Sequence, residues 1–162
     1  GLAPGLHGAN RTGRPFTGDH AGLLLYRTLH AFGFGDRAVS TSADDGLRLL
    51  DCRITNAVRC LPPANKPLPA EVEQLLERRV AGVGAPLAAV LALGAVAHGA
   101  VLRALGLPAA PARFAHGAEH ALPDGRLLLD SYHCSRYNTQ TRRLTPEMFA
   151  RVVRRAREWL DR

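Results

Sequence analysis

The sequence predicts an α/β fold: a short parallel sheet with helices on both faces. Three observations carry this. Pro86 to Leu93 is a continuous apolar run of strand length, as expected of a strand buried on both faces. Arg126–Asp130 is a second short apolar strand. Helix-like segments separate such strands along the chain, and that alternation implies parallel pairing through helical crossovers.

Each element has a local reason. Gly1-Leu2-Ala3-Pro4-Gly5 reads as the end of a strand entering a loop, and no Met starts the chain, so a first strand is expected upstream of residue 1. Residues 5–18 hold four glycines and no apolar period, which predicts a loop. A helix is expected over 19–32, capped by Asp19 and closed by Gly33 and Gly35. Residues 47–58 fit a strand running into a turn. Four prolines in 61–69 make an extended loop. A helix is expected from Pro69 to about Val80, then the strand of 86–93, then a helix over 95–106 stopped by Gly106-Leu107-Pro108. After Arg126–Asp130 comes the polar stretch Ser131–Arg143. The last helix has Thr145 as cap and Pro146 in its first turn, and runs to Leu160.

The chain of 162 residues suits one domain, 1–162, round one core. Lys plus Arg is 21 against 14 Asp plus Glu, a net charge of +7. Such a surplus favours polyanionic partners, and it is a bias shared by ribosomal, RNA-binding and membrane-surface proteins. The cations are almost all arginine, which suits bidentate phosphate contacts and equally suits a GC-rich genome. Three cysteines, Cys52, Cys60 and Cys134, without framework spacing argue against a disulfide-stapled secreted fold. No secretory leader opens the chain and no apolar stretch is unbroken enough to span a bilayer, so the expected location is cytoplasmic, beside bacterial DNA.

In parallel α/β folds ligands sit beyond the carboxyl ends of the strands. Three polar segments follow strands here: 1–22, 55–69 and 131–144. The first offers donors at Asn10, Arg11, Thr12 and Arg14, and an aromatic platform at Phe16. A glycine-rich phosphate loop is its alternative reading, although neither nucleotide-loop spacing is met. In the second, Asn56 at a strand end offers a donor and an acceptor, as the edge of a pyrimidine requires. The alternative is an Asn that simply ends a strand in a turn. The third contains His133 in a polar run too long for a plain connection, although a lone His is more often structural. His116 and His120 are spaced i, i+4 but lie in a loop, which argues against a metal site.

Together the three segments resemble the uracil-DNA glycosylase superfamily, family 5, close to family 4. Gly1–Asp19 is similar to its first motif, Ile54–Pro69 to its middle motif and His133–Leu144 to its second catalytic motif. The resemblance implies a three-layer α/β/α sandwich that flips a deaminated base from DNA and hydrolyses its N-glycosidic bond, leaving an abasic site for base excision repair. The base would be uracil, with hypoxanthine or xanthine as extensions. An inactive DNA-binding module of the same fold is the alternative. By resemblance Phe16 stacks on the flipped base, Asn56 reads its edge and His133 stabilises the departing base. Gly1 and Ala3 line the base site. Asn10 positions the water with Asn138 as helper, because Ala3 stands where many relatives hold an Asp or Asn. DNA contacts fall to Arg11, Arg14, Lys66, Ser135, Arg136, Tyr137 and Arg142, with Arg136 or Tyr137 as the wedge. The resemblance also implies a monomer acting on DNA without a membrane.

The chain departs from the pattern in two places. Arg142 stands where a glycine is expected. Families 4 and 5 hold a [4Fe-4S] cluster on four cysteines; Cys60 matches the third ligand, but the position sixteen residues on is Leu76. The cluster is therefore expected to be lost or incomplete.

Overall fold

The computed structural model describes residues 1, 3, 8–56 and 87–162. Its centre is a parallel pair. Strand β1 (Ala89–Leu93) lies beside a strand at Leu127–Ser131, with Val90 opposite Leu128 and Leu93 opposite Ser131. Side chains alternate across the pair as the period of two demands. Val90, Ala92 and Leu128 enter one core with a helix at Ala95–Ala104, through Ala97, Val101 and Leu102. Leu127, Leu129 and Leu91 enter the opposite core against Val152 of the last helix, Pro146–Leu160. Helices thus cover both faces.

Among the described residues the helices, in chain order, are α1 (Ala9–Thr12), α2 (His20–Ala31), α3 (Ala95–Ala104), α4 (Arg136–Gln140) and α5 (Pro146–Leu160). The expected caps form. Asp19 Oδ1 accepts from Gly22 N at 3.0 Å, and Thr145 Oγ1 from Met148 N at 3.2 Å, with Pro146 in the first turn. On α5, Phe149, Val152 and Val153 are buried, spaced to form one helical face. That helix packs beside α2 in a core with Leu25, Tyr26 and Leu29. Near its end Arg157 covers the Phe34 ring at 4.0 Å, and Trp159 Nε1 donates to Ala88 O at 3.1 Å.

The sheet is mixed rather than wholly parallel. Strand β2 (Glu119–Ala121) joins antiparallel to β3 (Leu127–Ser131), giving the order β1-β3-β2. The cause is a tight hairpin at Pro123-Asp124-Gly125, a turn sequence in which Gly125 takes φ +84° and donates to Leu122 O at 3.0 Å. The strand expected over 47–58 is reduced, through residue 56, to one bridge between Gly35 and Leu49. Asp51, at φ +50°, breaks the extended line there. Two loops contain short helices not foreseen, α1 in the first motif and α4 in the last. The expected helix of 69–80 and the proline-rich 61–69 lie outside the described residues. Among the described residues no helix is long and apolar enough to cross a membrane.

Candidate active site

The first and middle motifs meet at Gly1. Its amine donates to Thr55 O at 3.0 Å. A Cβ on Gly1 would stand 2.6 Å from Asn56 Oδ1 and 2.8 Å from Phe16 Cζ, so only glycine permits this approach. The last motif closes the group, with the ring of His133 5.7 Å from that of Phe16. A cavity of about 270 Å³ runs along β1 between apolar side chains of both cores, Leu25 and Val153 of one and Ala97 and Val101 of the other; Gly1, Phe16 and Asn56 also line it, and His133 does not. The half-buried Ala3 adds no polar atom.

Asn56 is 8% exposed, and its Oδ1 has no hydrogen-bond partner among the described residues. A buried unpaired acceptor costs free energy, and such groups are rare in native structures. This one borders the cavity. Phe16 is buried with φ +59°, a left-handed conformation unusual for an aromatic residue.

His133 follows β3 by two residues. Burial disfavours the imidazolium and holds its pKa below the ordinary 6.5, and the Asp19 carboxylate pulls the other way. The imidazole is therefore neutral at pH 7. Asn138 Nδ2 donates to His133 O at 2.9 Å, and the Asn138 amide N–H is capped by Ser135 Oγ at 3.3 Å. The first turn of α4 thus fixes the backbone of His133. His20 Nε2 lies 2.9 Å from Thr139 Oγ1 and ties α2 to the same turn.

The remaining sequence-predicted residues are spread out. Asn10 is exposed on α1, and no hydrogen bond joins it to Phe16, Asn56 or His133 among the described residues. Arg11 is exposed on α1 as well. Arg14 points inward: its guanidinium contacts Asp45 Oδ1 and Ala43 O, both at 2.6 Å, and Ser40 Oγ at 2.9 Å. Those donors are committed to the 40–45 loop, so the geometry gives Arg14 an internal role in place of the expected phosphate contact. Asn138 spends its amide on His133, a positioning contact. Arg136, Tyr137 and Arg142 are exposed, Tyr137 at 69%, on the surface beside His133. Lys66, Cys60 and Leu76 lie outside the described residues.

Sequence reasoning missed a buried polar clamp. Asp130, fully buried, accepts from His98 Nδ1 at 2.8 Å and His120 Nε2 at 3.0 Å, and His98 Nε2 lies 2.9 Å from Ala112 O. Alternation along β3 could have revealed it, since Asp130 shares a face with Leu128. Ligands round a zinc ion with bonds of about 2.0–2.1 Å sit about 3.3 Å apart; the spacing here is that of hydrogen bonds. His116 is separate, stacked on Tyr132 at 5.1 Å.

The two described thiols, Cys52 and Cys134, are free, and burial pushes Cys134 up to about 12 and Cys52 up to about 11. Cys52 Sγ donates to Phe34 O at 3.3 Å.

A sequence model of the uracil DNA glycosylase superfamily matches residues 1–157. The chain belongs to that superfamily. Within it, a type-5 uracil-DNA glycosylase of Thermus thermophilus is 48% identical over 159 residues, 97% of this chain and 72% of the relative. Type-5 enzymes of Mycobacterium tuberculosis (45% identical, 98% of this chain, 60% of the relative) and Pyrobaculum aerophilum (43%, 96% and 68%) are similar in the same way. The chain therefore spans about two thirds of the length of these relatives. Uracil-DNA glycosylases are hydrolases of N-glycosyl bonds.

Proposed function

We propose that this chain removes uracil from DNA by hydrolysing the N-glycosidic bond, as its relatives' names describe for them. The observation that carries the reading is the buried Oδ1 of Asn56, without a partner among the described residues and close to Gly1. Uracil presents an N3–H donor next to the O4 acceptor, and the two ends of one amide complement that pair. Binding would supply the partner that Asn56 Oδ1 lacks among the described residues, which rewards uracil over bases without that donor.

The rest of the reaction follows from charge. The base leaves the stack before its sugar bond is accessible, and Phe16 offers it an aromatic face. Bond cleavage moves negative charge onto the base and positive charge onto the sugar. A neutral His133 can donate one N–H to the base oxygen, and that donor gains most where the charge has developed. Asn138 acts through the backbone of His133. Asn10 is the proposed water-positioning residue, since Ala3 offers no polar atom. Arg11, Lys66, Ser135, Arg136 and Arg142 are proposed phosphate contacts, and Tyr137 the wedge filling the vacated stack. Hypoxanthine and xanthine present comparable edges and are proposed as weaker substrates. A single domain, working as a monomer in base excision repair, completes the proposal. No step involves an iron–sulfur cluster.

The test is excision from an oligonucleotide carrying one uracil opposite guanine, with alkali to cut abasic sites. Scission supports the reading. Salt-sensitive binding without scission would leave a DNA-binding module of the same fold.

A further inference from the structure

We infer that Asp45, acting through Arg14 and Ser40, is a positioning residue for the Phe16 ring. Phe16 is held in a left-handed backbone conformation that an aromatic residue adopts only under constraint. Its neighbours supply that constraint. Tyr26 Oη donates to Pro15 O at 2.6 Å, and Thr12 Oγ1 to Thr17 O at 3.1 Å. Thr17, fully buried, shares a 2.6 Å hydroxyl contact with Ser40. A Cβ on Gly22 would stand 1.8 Å from Phe16 O, so α2 presses directly on the strained peptide.

One of these anchors, the Thr17–Ser40 contact, leads back to the 40–47 loop, outside the three motifs. There the Asp45 carboxylate accepts from Arg14 at 2.6 Å, Thr41 N at 2.7 Å and Leu47 N at 2.9 Å. Arg14 in turn holds Ser40 Oγ at 2.9 Å, the same hydroxyl that meets Thr17. The chain of contacts runs Asp45 to Arg14 and Ser40, then to Thr17, and so to the residues on either side of Phe16. Desolvation raises the Asp45 pKa, but Arg14 and the backbone amides outweigh it and hold the carboxyl well below the usual range. The loop is therefore built round an ionised Asp45.

This inference rests on the proposed stacking role of Phe16. The experiment is a double-mutant cycle on uracil excision with Asp45→Asn, Phe16→Ala and the pair. Asp45→Asn is expected to lower kcat/KM about tenfold in the parent, since small misplacements near a reacting group cost up to about a hundredfold. In the Phe16→Ala background its effect should shrink below about twofold, as expected of contacts in series. An undiminished effect there, or none in the parent, overturns the inference. Amide hydrogen exchange on the same proteins decides the matter even if no excision occurs. Asp45→Asn should speed exchange of residues 12–18 about tenfold and leave α5 unchanged; unchanged protection of 12–18 overturns the inference. Ser40→Ala, a milder change, should move both readouts in the same direction.

Discussion

The rings of Phe16 and His133 lie with centroids 5.7 Å apart and planes tilted by 32°. Two van der Waals layers need about 7 Å, so a base cannot slide between the rings. His133→Ala is expected to lower the single-turnover rate of uracil excision about 10²–10³-fold, the loss of roughly 3–4 kcal/mol typical of a transition-state donor. DNA affinity should stay within a few fold. A variant with equal losses in rate and affinity would make His133 a binding group only.

Asn56 should show function and stability pulling apart. Its Oδ1 is buried without a partner among the described residues, and such a group costs about 1–3 kcal/mol of stability. Asn56→Leu removes the orphan at similar volume. Denaturant unfolding should place it at or above the parent in stability, while excision falls by about 10²-fold or more. A destabilised variant would mean that the amide is satisfied in the free protein.

Acid should disfavour both the reaction and the fold through His133. Its folded-state pKa lies below the ordinary 6.5, chiefly because burial disfavours the imidazolium. The unfolded chain then binds more protons than the native one in the window between those two values. The contribution to stability is present above pH 6.5 and lost as the pH falls through the folded value. The acid limb of kcat/KM should accordingly lie below pH 6.5. In His133→Gln that limb should disappear along with most of the activity. An acid limb centred above 6.5 would contradict the burial.

The His98–Asp130–His120 clamp predicts a pure stability effect. Asp130 is fully buried, and His98→Leu deprives its carboxylate of one donor while also freeing Ala112 O. A buried acceptor that loses a donor costs about 1–3 kcal/mol. The unfolding free energy from urea titration should fall by that amount, with little change in excision rate at temperatures where the variant is folded.

These sites differ in how far the sequence disclosed them. Residues whose role follows from local chemistry were legible: Asp19 and Thr145 cap their helices as expected, and the apolar runs of β1 and β3 pair in parallel. Phe16, Asn56 and His133 stand out because each is an aromatic or polar side chain where the sequence predicts a strand end, within a segment that resembles a motif of the superfamily. Arg14 was misleading. As an arginine in a glycine-rich loop it suggested phosphate, but its partner Asp45 lies 31 residues away, and only the fold brings the two together. The clamp was hidden for the same reason, with His98 and Asp130 32 residues apart. The antiparallel edge was legible at Pro123-Asp124-Gly125 and simply overlooked, since β2 is only three residues long. The 47–56 stretch had strand composition but lacked a ladder, because composition does not reveal the left-handed Asp51 that breaks it.

Arg142 offers the last prediction, in which strain and charge oppose each other. It follows the end of α4 with φ +57°, the left-handed position that commonly closes a helix and that glycine fills without cost. A residue with a Cβ there sacrifices about 1–2 kcal/mol. Arg142→Gly should therefore stabilise the protein, less the entropy that glycine adds to the unfolded chain, roughly 0.5–1 kcal/mol. The net gain is about 0.5–1 kcal/mol, or about 1–4 °C in Tm for a chain of this size. Its exposed guanidinium lies on the surface proposed to meet DNA. If it contacts a phosphate, the glycine variant should bind DNA more weakly, and the slope of log K against log salt should fall by about one. Stabilisation with a reduced slope means that the arginine is retained for DNA at the expense of the fold. Stabilisation with an unchanged slope removes Arg142 from the interface and leaves its strain without a functional return.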